Sequence, residues 1–386
     1  MFAVYAGEKA PGSFSQSIFL AGPTPRRPEV RSWRPEALRF LREFGYEGVV
    51  FVPEYREDGV RVVYSDYVTQ VEWEEKHLNM SDCILFWIPR DMKTMPGLTT
   101  NDEWGVWKDS GKVVFGTPPN AEKVNYQRYY AEKLKIPYAD ALSLTVSLAL
   151  LMVGKSALRQ GGEREVPLLI WNTAHFQEWY KAHKNAGNHL DGAKVVWTFR
   201  VGAQKTFPFL WAIHANVYIA NEKRNKINEV VIARPSISTI VMYRRDRVLL
   251  KSDIVLIREF RSPVSNGDCY VWEVPGGSSK KAEDPIKLAA DECKEETSLV
   301  VDPSRMHDNE ARQMVSTLST HKAHLYSVEI TKEELSYLKS QTGIAHGILA
   351  DTERTYVEIK KLSEILAETN VDWSMLGMIL SVLIKK

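Results

Sequence analysis

Cysteine is scarce in this chain: three among 386 residues, at Cys83, Cys269 and Cys293. Their spacing fits neither a disulfide framework nor a paired metal motif, and each lies in an apolar or strand-like run. They read as small buried side chains. That excludes a stapled secreted module and fits a reducing, cytoplasmic setting. Net charge is nearly absent too, +1 from 50 basic and 49 acidic residues, so no general basic field points to nucleic acid as a partner. Long hydrophobic runs are missing. The longest, from Ala141 to Gly154, contains two serines and a threonine and is too short to span a bilayer. It reads as a buried helix, and no membrane partner is expected. The start shows no signal-peptide pattern, and neither an internal repeat nor a low-complexity tract is evident. What is present is an apolar fraction of 44%, enough for real cores and against disorder. The length suggests two or three domains.

Residues from about 16 to 160 alternate between short apolar strands and helices. Ser17–Ala21, Gly48–Val52, Cys83–Ile88 and Val113–Gly116 read as strands; Arg34–Phe44 and Tyr67–Asn79 read as helices. This order predicts a parallel, doubly wound sheet, with ligands at the carboxyl ends of its strands. A charged, glycine-bearing stretch, Gln160–Pro167, suggests a boundary near residue 162. From 163 to about 207 the chain is rich in aromatic and histidine residues (Trp171, His175, Trp179, Tyr180, His183, His189, Trp197). Their spacing is irregular, so they read as a connecting segment used for packing or docking rather than for metal. From 208 to 386, period-2 strands around an acidic helix predict a mixed α+β domain.

That acidic helix follows a glycine turn, Gly276-Gly277, and carries Glu292, Glu295 and Glu296. Helix spacing puts the three on one face, within about 6 Å of one another. Carboxylates that close repel one another, and the usual compensation is a hard divalent cation; a solvated acidic face is the alternative. The spacing Gly277, Glu283, then Glu292-Cys-Lys-Glu295-Glu296 and Leu299 resembles the Nudix box. Two positions depart from the family pattern: Asp291 stands for its arginine and Ser298 for its glycine. The resemblance implies Mg²⁺- or Mn²⁺-dependent diphosphate hydrolysis, with Glu292, Glu295 and Glu296 as metal ligands and Glu292 and Glu296 as catalytic groups. The flanks, Ile254–Pro263 and Trp272–Gly277, resemble those of ADP-ribose pyrophosphatases. They offer Arg258 and Arg261 as diphosphate contacts and Glu273 as a further ligand. Glu353 falls where such enzymes place a general base.

The first half carries three short segments: Phe19–Pro25 with Ser32-Trp33-Arg34, Gln70–Glu74, and Pro96–Gly105. In this order they resemble the nucleoside 2-deoxyribosyltransferase-like family, over about residues 16 to 125. The resemblance implies a flavodoxin-like sheet and cleavage of an N-glycosidic bond. Glu103, in Glu103-Trp104-Gly105, matches the family nucleophile, and a carboxylate suits an oxocarbenium-like centre. A nearby helix N-terminus is expected to keep it ionised. Glu74 matches a carboxylate that contacts ribose or base, and Asn101 lies in the third motif as a substrate contact. The Gly22-Pro23-Thr24 turn is expected to cradle ribose or phosphate, with Arg26, Arg27, Arg31 and Arg34 close by in sequence. The first strand reads Ile18-Phe19-Leu20 where well-matched transferases carry a tyrosine, which favours hydrolysis over transfer.

Together these readings describe a bifunctional enzyme of nucleotide metabolism acting on small nucleosides or nucleotides, possible as a homo-oligomer. Either a dinucleotide loses its base and the ADP-ribose is then split, or a triphosphate is trimmed and its base removed. A different class stays open, in which the second half senses a nucleotide without cleaving it.

Overall fold

The computed structural model describes residues 1–56, 66–265, 267–279, 283–348 and 353–384. Residues 280–282 of the glycine-turn motif lie outside them. The chain divides into two compact units, Met1–Ala233 and Arg234–Lys386.

The first unit is built on strands β1 (Phe2–Tyr5), β2 (Ser13–Phe14), β3 (Ser17–Ala21), β4 (Val49–Val52), β5 (Cys83–Trp87), β6 (Val113–Gly116), β7 (Tyr138–Ala139) and β8 (Arg159–Gln160). Six form one sheet in the order β1-β4-β3-β5-β6-β7, with every pairing parallel. Apart from the added edge strand β1, this is the 2-1-3-4-5 order of a flavodoxin-like sheet. The continuous apolar runs are explained by burial on both faces. Ile18 and Leu20 of β3 face one core with Ala37, Leu38 and Leu41 of α1 (Arg34–Glu43); Phe19 and Ala21 face the other with Leu78 of α2 (Tyr67–Met80) and Trp104 of α3 (Leu98–Trp107). Helix α4 (Asn125–Leu134) adds Ala131 to the second core, and α5 (Leu142–Val153), the apolar run of the sequence, adds Val146, Ala149 and Val153 to the first.

The compact units divide after Ala233, whereas the sequence reading places boundaries near 162 and 207. After α6 (Leu168–Trp171) and α7 (Ala174–Asn185), three long strands β9 (His189–Val201), β10 (Phe207–Ile219) and β11 (Arg224–Ala233) form an antiparallel sheet. Phe176, Tyr180, Leu190, Trp211 and Ile213 from this region share one core with β3 and α1. His175 stacks on Trp211 with ring centroids 5.7 Å apart. Trp171, His175 and Tyr180 of the aromatic segment are therefore interior packing of the first unit, Trp197 stays exposed, and the division falls at Ala233. Asp82, just before β5, ties this region to the sheet. Its two oxygens accept from Arg159 at 2.8 and 2.6 Å, from Leu168 N at 2.8 Å and from Ser17 N at 2.8 Å. Both side chains of the ion pair are fully buried. Removing one partner leaves the other charge uncompensated in the interior. Asp82→Ala is expected to cost about 3–5 kcal/mol of stability, read from denaturant unfolding; a loss under about 1 kcal/mol would show that the pair acts like an exposed one.

The second unit contains β12 (Ile237–Arg244), β13 (Asp253–Phe260), β14 (Tyr270–Glu273), β15 (Gly276–Gly277), β16 (His307–Gln313), β17 (Lys322–Glu329), β18 (Ala345–His346) and β19 (Thr355–Lys361). They make one mixed sheet, ordered β16-β17-β12-β13-β19-β18, with β14 on β13 and β15 on β12. Period-2 alternation sends Ile240, Met242 and Val255 to one face, against Ala289 and Cys293 of α8 (Pro285–Thr297) and Leu338 of α9 (Lys332–Ser340). Val241, Ile254 and Leu256 go to the other, against Leu362 and Ile365 of α10 (Leu362–Ala367) and Met375, Ile379 and Leu383 of α11 (Trp373–Ile384). Asp284 caps α8 by accepting from Ile286 N, with Pro285 opening the helix. Among the described residues, no helix is long and apolar enough to cross a membrane.

Candidate active site

In the first unit the carboxyl ends of β3, β4 and β5 meet at the point where strand order reverses. A polar cavity of about 400 Å³ lies there, lined by Gly22–Arg26 after β3, Pro53–Tyr55 after β4, and Gly97–Thr100 at the start of α3. Gly22 has φ +148°, and a Cβ there would come within 2.1 Å of the Trp87 carbonyl oxygen. No other residue fits, which is why glycine closes β3. Trp33 holds the turn by donating its Nε1–H to Pro23 O at 3.2 Å.

Arg34 is buried beneath this turn. It donates to Leu20 O, Gly22 O and Thr24 Oγ1 at 3.1, 2.7 and 3.1 Å, and to Glu54 Oε1 at 2.6 Å. Glu54 also accepts from Ser32 Oγ at 2.9 Å. Arg34 lines the cavity while spending its donors on the protein, so it shapes the cradle. Arg26 lines the cavity as well, whereas Arg27 lies 3.9 Å from Glu29 in an exposed pair. Asn101 lines neither this cavity nor the larger one beside it. Its Oδ1 accepts from Arg90 at 2.6 Å and Gln127 at 2.9 Å, which makes it a brace between α3 and α4.

Glu74 of α2 and Glu103 of α3 line the polar cavity and also a second, mostly apolar one of about 620 Å³. Trp104 fixes the helix by packing into the core, 5.4 Å from Phe86 and 5.1 Å from Phe115 between ring centroids. That turns Glu103 to the cavities. The expected ionisation of Glu103 is reversed. Burial, and then the charge of Glu74, push its pKa up to about 8, with Arg34 opposing. The helix opens at Gly97, so Glu103 sits beyond the first turn, where the dipole has faded. Glu74 is raised too, chiefly by burial, against a hydrogen bond from Gln70 at 3.0 Å and the charge of Arg34. Burial thus pushes both carboxylates toward the protonated form, and the charge of Glu74 adds to the effect at Glu103. Glu54, Tyr55 and Tyr67, which sequence reasoning passed over, also line the polar cavity. Glu54 had a signal, since it stands just past a strand end closed by Pro53. Tyr55 and Tyr67 bring hydroxyls that the first strand lacks.

In the second unit, three ligand oxygens from Glu259, Glu296 and Glu353 lie within 4.8 Å of one another. Glu296, on α8, is buried and accepts from Gly276 N at 2.9 Å. Burial drives its pKa well up, with Glu292, Glu353 and Glu259 adding to it. Glu259 is held up to about 7, by burial foremost, against the attraction of Arg261. Glu292 also rises to about 7 through burial and then Glu295 and Glu353. Gly277 lies directly against this carboxylate: a Cβ there would sit 2.1 Å from Glu292 Oε1 and push that side chain aside. Carboxylate oxygens converging in a buried site are the donor set of a hard divalent cation, and these residues fit one.

The converging set differs from the expected one. Glu259 joins it, unforeseen. Glu273 instead pairs with Arg261 at 2.7 Å, and Arg261 also reaches Glu259 at 2.8 Å. Glu292 and Glu295 flank the trio on α8. Arg258 is next to Glu259 on a strand and so points to the opposite face, beneath Tyr270 at 4.4 Å and 3.6 Å from Glu358; it does not reach the carboxylates. Ser298, in place of the motif glycine, takes the left-handed conformation at φ +59° and shares a hydrogen bond with His346 Nδ1 at 3.1 Å.

Residues 15–121 match the family model described as nucleoside 2-deoxyribosyltransferase like. The matched stretch holds the Gly22 turn, Glu74 and Glu103, and it connects this part of the chain with an enzyme family of nucleoside glycosyl chemistry. No curated protein matches the chain. Nothing in these comparisons supports the Nudix resemblance of the second unit.

Proposed function

We propose that the first unit cleaves the N-glycosidic bond of a nucleoside 5′-phosphate by hydrolysis, with Glu103 as the attacking carboxylate. The observation that carries this reading is the Glu74–Glu103 pair at the join of a polar and an apolar cavity, at the strand-order switch of a parallel sheet. The sugar and phosphate lie in the polar cavity, against Arg26 and the first turn of α3. Ionised Glu103 attacks the anomeric carbon as the carbon–nitrogen bond breaks, and the base leaves with a proton from Glu74. Water then attacks the glycosyl ester, gives its proton to Glu74 and releases Glu103. Arg26→Ala is expected to lower kcat/KM about tenfold to a hundredfold for the 5′-phosphate, with little effect on the nucleoside. An equal loss on both would remove phosphate from the reading.

We infer that the second unit hydrolyses a nucleoside diphosphate derivative such as ADP-ribose. Support comes from the buried carboxylate trio and the flanking motif. Glu259, Glu296 and Glu353 would hold Mg²⁺ or Mn²⁺, which supplies neutralisation of diphosphate charge and activation of water. Arg261, which pairs with Glu273 and Glu259, would turn to the substrate phosphates once a cation takes up the carboxylate charge. Glu292, protonated or ionised near neutrality, moves a proton.

A further inference from the structure

We propose that the larger cavity beside Glu74 and Glu103 receives the leaving group of the glycosidic substrate, and that this group is an aromatic ring with an apolar extension rather than a bare nucleobase. The inference rests on the glycosidase reading of Glu103. The two cavities share Tyr67, Glu74, Thr99 and Glu103, so a sugar held on the polar side directs its departing group to the other. That other side measures about 620 Å³, within the range of about 300–1,000 Å³ that encloses drug-sized ligands.

Its walls are apolar: Val71 and Val106 on two helices, Trp107, Ile170, and Val196 and Trp197 on β9. Val106, Val196 and Trp197 are 72%, 58% and 51% exposed, a grouping of uncovered apolar surface that marks a binding site. Apart from the exposed Asp102 and the Glu74–Glu103 pair, the charged groups at its edge are committed within the protein. Lys112 Nζ donates to Leu78 O, Asn79 O and Ser81 O at 2.7, 2.8 and 2.9 Å. Lys194 pairs with Glu75 at 2.7 Å, and Asp109 with Arg200 at 3.1 Å. A bare base needs partners for its ring nitrogens and exocyclic groups, and this wall offers mainly contact area. Ile170, Val196 and Trp197 lie beyond residue 121, where the family match ends, so part of the wall lies outside the matched stretch.

The test uses the full chain, with adenine and N6-benzyladenine as free bases followed by tryptophan fluorescence, and their ribosyl 5′-phosphates as substrates. The benzyl base is expected to bind at least about tenfold tighter than adenine, from the added apolar burial. Trp197→Ala should remove most of that advantage, and Val106→Asn, on an exposed helix position, should do the same without touching the core. Equal binding of the two bases, or an advantage unchanged in both variants, would overturn the proposal. Tight benzyl-base binding without cleavage of either nucleotide would retain the cavity assignment and reject the glycosidase reading. Equal kcat/KM for both nucleotides would do the reverse.

Discussion

Glu103→Gln is expected to reduce base release by about 10⁴-fold, the upper range for losing a group that acts on the reacting bond, with unfolding temperature held or raised. The sign of the stability change follows from ionisation. The Glu103 pKa is about 8 in the folded protein against an ordinary 4.5. The folded state then binds more protons than the unfolded one between those values, so this group's contribution to stability falls as pH rises through that window. A neutral glutamine removes that penalty. Activity runs the other way with pH. The attacking form is the carboxylate, so kcat/KM should climb about tenfold per pH unit below 8, and it should fall again once Glu74 loses the proton that the leaving base needs. Glu74→Gln removes both the neighbouring charge and the proton donor, so it should move that rise to lower pH and also cut the maximal rate, which a merely structural residue would not do. An activity that falls across pH 6–9 in about the same tenfold steps would instead make Glu103 the proton donor.

Glu296→Gln is expected to abolish diphosphate hydrolysis while leaving base release in place. A bound cation supplies several kcal/mol of charge stabilisation, and at about 1.4 kcal/mol per tenfold this is about 10³-fold in rate. The binding readout is independent of turnover. Mg²⁺ should raise the melting temperature of the wild-type protein by mass action, and the shift should vanish in Glu296→Gln and shrink in Glu259→Gln. The second variant matters because Glu259 lies outside the acidic helix, on β13. If Mg²⁺ stabilises the protein equally in all three, the trio is a repelling cluster and not a cation site.

The parallel sheet was legible because strands buried on both faces spell continuous apolar runs, such as Cys83–Ile88 and Val113–Gly116, separated by helices with one apolar stripe. Glu74 and Glu103 were legible because their motifs are local. The β9–β10 hairpin was not. Its strands carry three register shifts, which break the alternation a strand prediction needs, and its tryptophans read as a linker. Glu259 was missed for a related reason. Its partners Glu296 and Glu353 come from distant segments, and its neighbours Arg258 and Arg261 suggested phosphate binding. Strand alternation sorts these neighbours: Arg258 goes to one face with Tyr270, and Glu259 to the other with the carboxylates. The ionisation of Glu103 was misjudged because the helix start was read without its place: Gly97 opens the helix six positions earlier, and burial outweighs a dipole that has decayed by then.

The most direct test of the account separates products by chromatography after incubating wild-type protein and Glu103→Gln with a panel of nucleosides and nucleoside 5′-phosphates. The account predicts free base and ribose 5-phosphate in equal amounts from the wild-type protein, and neither from Glu103→Gln. Base release that persists undiminished in Glu103→Gln would contradict it, as would intact substrates throughout the panel.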